Sequence, residues 1–126
     1  MPDRASVDAF TAHVLSGDHV GAIRDWYAED AWMRENMGPP RVGREALMAH
    51  EAAALARVER VDTELLASPA VAGDTVAIRW RFTIVTKDGP GPSFEEVAWQ
   101  TWRGNKIAEE TFFYDPAQMR AARGAG

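Results

Sequence analysis

Apolar residues recur at helical spacing along the first quarter of the chain and then switch to alternation. Val7, Phe10, Val14 and Leu15 fall on one side of a helix. Gly17 ends it, and Asp18 is placed to cap a second helix with Val20, Ile23, Trp26 and Tyr27 on one side. From Ala31 the period is two: Met33, Glu35 and Met37 share a face opposite Trp32, Arg34 and Asn36, until Gly38-Pro39-Pro40 closes the strand. Gly43 precedes a third helix, expected over residues 44–59. Alternation then takes over, with a strand predicted over 61–68, before Pro69. In TVAIRWRFTIV, Val76, Ile78, Trp80, Phe82 and Ile84 form one face and Ala77, Arg79, Arg81 and Thr83 the other. KDGPGP predicts a hairpin turn, SFEEVAWQTW a strand, RGN a tight turn and KIAEETFFY the last strand, ended by Asp115-Pro116. Helices followed by a meander of long strands predict an α+β domain, with the helices covering one face of a curved, mostly antiparallel sheet.

The informative positions are polar residues on apolar faces, because a buried polar group costs free energy unless it is paired. Glu35 lies between Met33 and Met37. Glu51 falls inside the helical arc of Leu47, Ala54, Leu55 and Val58, with His50 at its edge. Glu110 shares a face with Ala108, Phe112 and Tyr114, while Glu109 shares the other with Ile107, Thr111 and Phe113, so periodicity leaves open which of the two points inward. On the preceding strand Glu96, Ala98, Gln100 and Trp102 oppose Val97, Trp99 and Thr101, and Gln100 could serve the inner face. Glu35, Glu51 and Glu110 together suggest one polar spot inside an apolar hollow, the usual character of a small-molecule site. Carboxylates there suit general acid/base work. A strand end, a helix rim or an ion pair of Glu35 with Arg34 or Arg41 would account for the same residues without chemistry.

Composition narrows the field. The 126 residues suit one domain, expected to have a folded core over about residues 5–117 and a tail over 118–126. Net charge is −5 and the basic residues are scattered, with Arg120 and Arg123 the one local excess, so nucleic acid is not expected as a partner. No apolar run is long enough for a membrane span. No targeting segment is visible, which leaves the cytoplasm as the default compartment. With no cysteine, disulfides and thiolate chemistry are excluded. His13, His19 and His50 lack metal-ligand spacing and no nucleotide fingerprint occurs, so neither metal nor cofactor is expected.

Three segments carry a family resemblance: FTAHVLSGDHVGAIRDWYAEDA, GPPRVGREAL and WQTWRGNKIAEETFFYDP, in that order across residues 10–116. In these the chain resembles the SnoaL-like proteins of the nuclear-transport-factor-2-like superfamily. The resemblance implies a cone-shaped α+β barrel, a strongly curved mixed sheet wrapped around N-terminal helices, with an internal pocket and a homodimer through the sheet. Ketosteroid isomerases, SnoaL-type polyketide cyclases, limonene epoxide hydrolase and scytalone dehydratase share that fold, so fold does not settle function.

By that resemblance Glu35 matches the isomerases' aspartate base, Tyr27 and Glu51 match pocket positions, and Glu110 and Tyr114 match cavity-facing positions of the last strand. The isomerases' oxyanion donors fall on Phe10 and Ala98, which cannot donate. The hydrolase's charged residues fall on Trp80, Phe82 and Phe112. The expectation is an enzyme of the isomerase or cyclase type acting on an apolar cyclic or aromatic molecule. Glu35, Glu110 and Glu51 are its catalytic candidates, and Phe10, Tyr27, Trp32, Met33, His50, Trp80, Gln100, Trp102, Phe112 and Tyr114 its substrate-binding ones. A non-catalytic binding domain for a hydrophobic metabolite and a water-activating hydrolase or lyase are the alternatives. The outer sheet face, with Arg79, Arg81, Val97, Trp99 and Thr101, is the expected dimer contact.

Overall fold

The computed structural model describes residues 1–119. Helix α1 (Arg4–Leu15) starts at Asp3, whose carboxylate accepts from the Ser6 N–H at 2.7 Å. Helix α2 (His19–Trp26) starts at Asp18, which accepts from the Gly21 N–H at 3.1 Å. Each cap satisfies a donor that a helix start leaves open. Gly21 is required by this cap, since a Cβ there would lie 1.9 Å from the Asp18 carboxylate. Between the helices Gly17 takes φ +90°, a left-handed turn that favours glycine.

Tyr27, expected on the second helix, is instead where the backbone turns extended, and it begins strand β1 (Tyr27–Glu35). Its ring still packs on α1: the Phe10 ring lies 6.0 Å from both Tyr27 and Trp102, edge-on. After the two-residue β2 (Arg41–Val42), α3 runs over Arg44–Leu55, one turn shorter than the apolar spacing suggests. The strands β3 (Arg60–Leu65), β4 (Ala70–Ala72), β5 (Thr75–Thr86), β6 (Gly89–Arg103) and β7 (Lys106–Phe113) follow. Two of the short strands, β2 and β4, are below the length at which alternation can be read. The hairpin turn is tighter than KDGPGP suggests, because Gly89 and Pro90 already pair with Thr86 and Val85. Pro90 is tolerated there because the ladder is irregular between Thr83 and Val85.

The strands form one sheet of order β2-β1-β7-β6-β5-β3, with β4 also on β5. All pairs are antiparallel except β1 with β7. This is the expected mixed α+β architecture. The sheet curls without closing into a barrel, since its terminal strands β2 and β3 are not neighbours. Its concave face packs on the N-terminal helices through Val7, Phe10, Ile23, Ile78, Ala98 and Ile107, all buried. On the convex face Arg79 pairs with Glu95 at 2.9 Å, and Arg81 with Glu95 and Glu64 at 2.8 and 3.1 Å.

Candidate active site

The parallel β1–β7 pairing decides which carboxylates face inward. Its register sets Met33 beside Glu110 and Trp32 beside Glu109. Glu110 is therefore inside, 2 % exposed, and Glu109 is outside. Across the antiparallel pair Gln100 lies opposite Glu110.

A hydrogen-bonded chain holds this carboxyl group. The Trp102 indole N–H, which can only donate, bonds to the Gln100 side-chain oxygen at 2.8 Å. That fixes the Gln100 amide, whose NH₂ donates to Glu110 Oε2 at 2.6 Å. The Tyr27 hydroxyl bonds to Glu110 Oε1. Burial raises the Glu110 pKa, the two hydrogen bonds oppose it, and the balance lies at about 7. Burial and the neighbouring Glu110 charge push Tyr27 well above the ordinary phenol value, so it stays neutral.

Glu110 and Tyr27 lie deep in a cavity of about 400 Å³. Glu35, Glu51 and Glu96 also line it, as do His19 and His50. Glu35, at the exposed end of β1, accepts from the Tyr114 hydroxyl at 2.9 Å. Burial, then the bond to Glu35, lifts Tyr114 to about 12. Glu96 lies on β6 opposite Trp80 of β5, and burial first, then the charges of Glu110, Glu35 and Glu51, lifts it to about 8. Burial raises Glu51 as well and lowers His19. Among the described residues neither Glu51 nor Glu96 has a side-chain partner, so their carboxyl groups are left to the cavity. The walls are apolar and largely aromatic. Trp80, Phe82, Phe94 and Tyr114 form a continuous run of rings, each 5.8–5.9 Å from the next.

The cavity brings together Glu35, Glu51 and Glu110 with Phe10, Tyr27, Met33, His50, Trp80, Phe112 and Tyr114. Three expected binding residues are elsewhere. Trp32 is on the outer face of β1, because alternation that turns Met33 inward must turn Trp32 outward; the Arg34 guanidinium lies 5.5 Å from its ring centroid. Gln100 and Trp102 are buried behind Glu110 and reach the cavity only through it. Arg34 bonds to Thr111 at 3.1 Å rather than to Glu35. Glu96 was not among the expected site residues. Its signal lay in the alternation that put it on one face with Ala98, Gln100 and Trp102, the face that turns out to be inward. Among the described residues no group of three or more histidine or acidic side chains is placed to hold a metal ion.

The structure is a curled mixed α+β sheet with ionisable groups gathered in an apolar hollow beneath the N-terminal helices. The chain belongs to the SnoaL-like domain family, whose model matches residues 4–110. No protein of curated function matches it. Among solved structures it is similar to a Mesorhizobium loti protein provisionally assigned as a SnoaL-like polyketide cyclase. They share 30 % identity over 87 % of this chain and 97 % of that one, with a TM-score of 0.72. A ketosteroid isomerase-like protein from Catenulispora acidiphila, solved with trimethylamine, is 23 % identical over 94 % of this chain and 92 % of that one, with a TM-score of 0.77. A cystatin-fold protein from Novosphingobium aromaticivorans is 23 % identical over 89 % and 97 %, with a TM-score of 0.72. The last two likenesses speak to the fold alone.

Proposed function

We propose that this SnoaL-like protein is a cofactor-independent enzyme of the isomerase or cyclase type, acting by carboxylate acid/base chemistry on an apolar cyclic or aromatic substrate. The observation that carries this is the presence of four carboxyl groups in one apolar cavity, with Glu96 at about 8 and Glu110 at about 7. Values near neutrality let a carboxyl group act as a proton donor at working pH. Glu35, oriented by Tyr114, removes a proton from the carbon next to a carbonyl. The C–H electron pair moves toward the carbonyl oxygen, which takes a proton from neutral Glu96; Glu35 then gives its proton to a different carbon conjugated with the enol while the enol O–H returns to Glu96, which completes an isomerisation. Glu35 and Glu96 share the cavity closely enough for the charge of one to raise the other. Phe10 and Ala98 supply no oxyanion donor, but Glu96 lies two residues from Ala98 on the same face of β6.

The test is deuterium exchange at the α-carbon of a panel of cyclic ketones, followed by NMR. The wild type is expected to accelerate exchange of at least one ketone, and Glu35→Gln to slow it about 100-fold, the scale of general-base catalysis. Full exchange by Glu35→Gln removes the base role. Tight ligand binding without exchange by the wild type supports the second reading, a binding domain, which the missing donors at Phe10 and Ala98 favour.

The same proposal includes a homodimer through the convex sheet face. Arg79 and Arg81 are neutralised within that face, while Trp99 and Phe113 are 51 % and 41 % exposed on adjacent strands. Exposed aromatics clustered this way suit an interface core. Sedimentation is expected to show a dimer for the wild type and a monomer for Trp99→Glu; a wild-type monomer rejects it.

A further inference from the structure

The lining of the cavity has a marked sign. Its polar groups among the described residues are the carboxyls of Glu35, Glu51, Glu96 and Glu110, the phenols of Tyr27 and Tyr114, and the imidazoles of His19 and His50. No lysine or arginine among the described residues lines it. Glu110 already has a donor on each oxygen and Glu35 is held by Tyr114. Glu51 and Glu96 face the cavity without such partners. Around Glu96 stand Trp80 directly across the ladder and Phe94 two residues back on its own strand.

We infer that the substrate or ligand of this cavity carries a positive charge, an ammonium group on an apolar or aromatic body, seated between the carboxyls of Glu96 and Glu51 and against the Trp80–Phe82–Phe94–Tyr114 ring run. An ammonium ion is attracted both by carboxylates and by aromatic faces, which carry negative quadrupole charge. An anion is repelled by both. A neutral acceptor would be served by a protonated carboxyl but would leave each further ionisation of the cavity acids opposed by the repulsion of those already charged. A cation relieves it, so its binding draws protons off the acids. The inference rests on the cavity being the small-molecule site proposed above, and not on that site being catalytic.

The probes are benzyltrimethylammonium, its neutral isostere neopentylbenzene, and phenylacetate as the anion. Titrations follow tryptophan fluorescence, since Trp80 lines the cavity. At pH 8 the quaternary cation is expected to bind at least about tenfold more tightly than the isostere, a difference of about 1.4 kcal/mol, with phenylacetate weakest. The cation carries no titratable proton, so its affinity should rise between pH 5.5 and 8.5 as the cavity acids ionise, while the isostere's stays level. Glu96→Gln, and separately Glu51→Gln should either variant fail to fold, is expected to weaken the cation about fivefold or more and leave the isostere within about twofold. Equal or tighter binding of the isostere, tightest binding of phenylacetate, unchanged cation affinity in both variants, or a cation Kd above about 10 mM overturns the inference. Ketone exchange without cation preference rejects the charge alone; cation preference without exchange rejects the catalysis alone.

Discussion

Glu110→Ala is expected to melt about 10–20 °C below the wild type, corresponding to a loss of about 3–5 kcal/mol. The substitution removes the acceptor for two buried donors at once, the Tyr27 hydroxyl and the Gln100 amide. Each donor stranded away from water costs about 1–3 kcal/mol, and the deleted side chain leaves space that the long, paired strands β6 and β7 cannot easily close. Glu110→Gln separates these effects. It keeps the volume and an oxygen for Gln100, and is expected to lose less than about half as much. Thermal melts at pH 7 of the two variants decide the matter. If Glu110→Ala melts within about 2 °C of the wild type, the Trp102–Gln100–Glu110–Tyr27 chain does not hold the cavity floor.

Glu96→Gln is expected to act in the opposite direction, and to do so only at high pH. An unfolded glutamate gives up its proton near 4.5, whereas native Glu96 holds it to about 8. Between those values the native state binds the extra proton, so raising the pH weakens folding across that window. Glu110, at about 7, adds a contribution of the same sign. The wild type should therefore lose melting temperature from about pH 6.5 to pH 8, above the range in which His19, held low by burial, acts in the opposite sense. Glu96→Gln should lose less, standing at least about 3 °C above the wild type at pH 8 and close to it at pH 5. Carboxylates held low by surface partners, such as Asp18 beside His13 and Glu95 beside Arg79 and Arg81, act only at more acid pH. A wild-type melting temperature that rises steadily from about pH 6.5 to 8 contradicts the assignment of Glu96 as an acid kept neutral by its surroundings.

The sequence made some of this legible and hid the rest for physical reasons. Long strands announce themselves: the inward set Val76, Ile78, Trp80 and Phe82 of β5 is read directly from alternation. The face of Glu110 was not readable, because both sides of β7 are apolar and its parallel partner lies more than seventy residues away in the chain. The outward place of Trp32 follows from the alternation that turns Met33 inward, and expecting both in one pocket put two faces together. Gln100 and Trp102 face inward as the pattern indicates, but pattern alone cannot distinguish a side chain that touches a cavity from one behind it. Glu96 was visible as one of four residues on its face; its meaning depended on the other carboxyls that the curled sheet brings to the same hollow. Tyr27 reads as helical because its spacing continues that of α2, while the backbone has already turned extended there.

The parallel pairing of β1 with β7 has a consequence for assembly. The phenol bonds to the cavity's acids join the two ends of the chain: Tyr27 to Glu110 spans 83 residues and Tyr114 to Glu35 spans 79. No early hairpin contains both halves of either pair, so the chain must pay the entropy of closing nearly its whole length before the first of them forms. A nascent chain that has not yet released β7 would hold helices and a β5–β6 hairpin but no pocket, and ligand binding would mark the last step of folding.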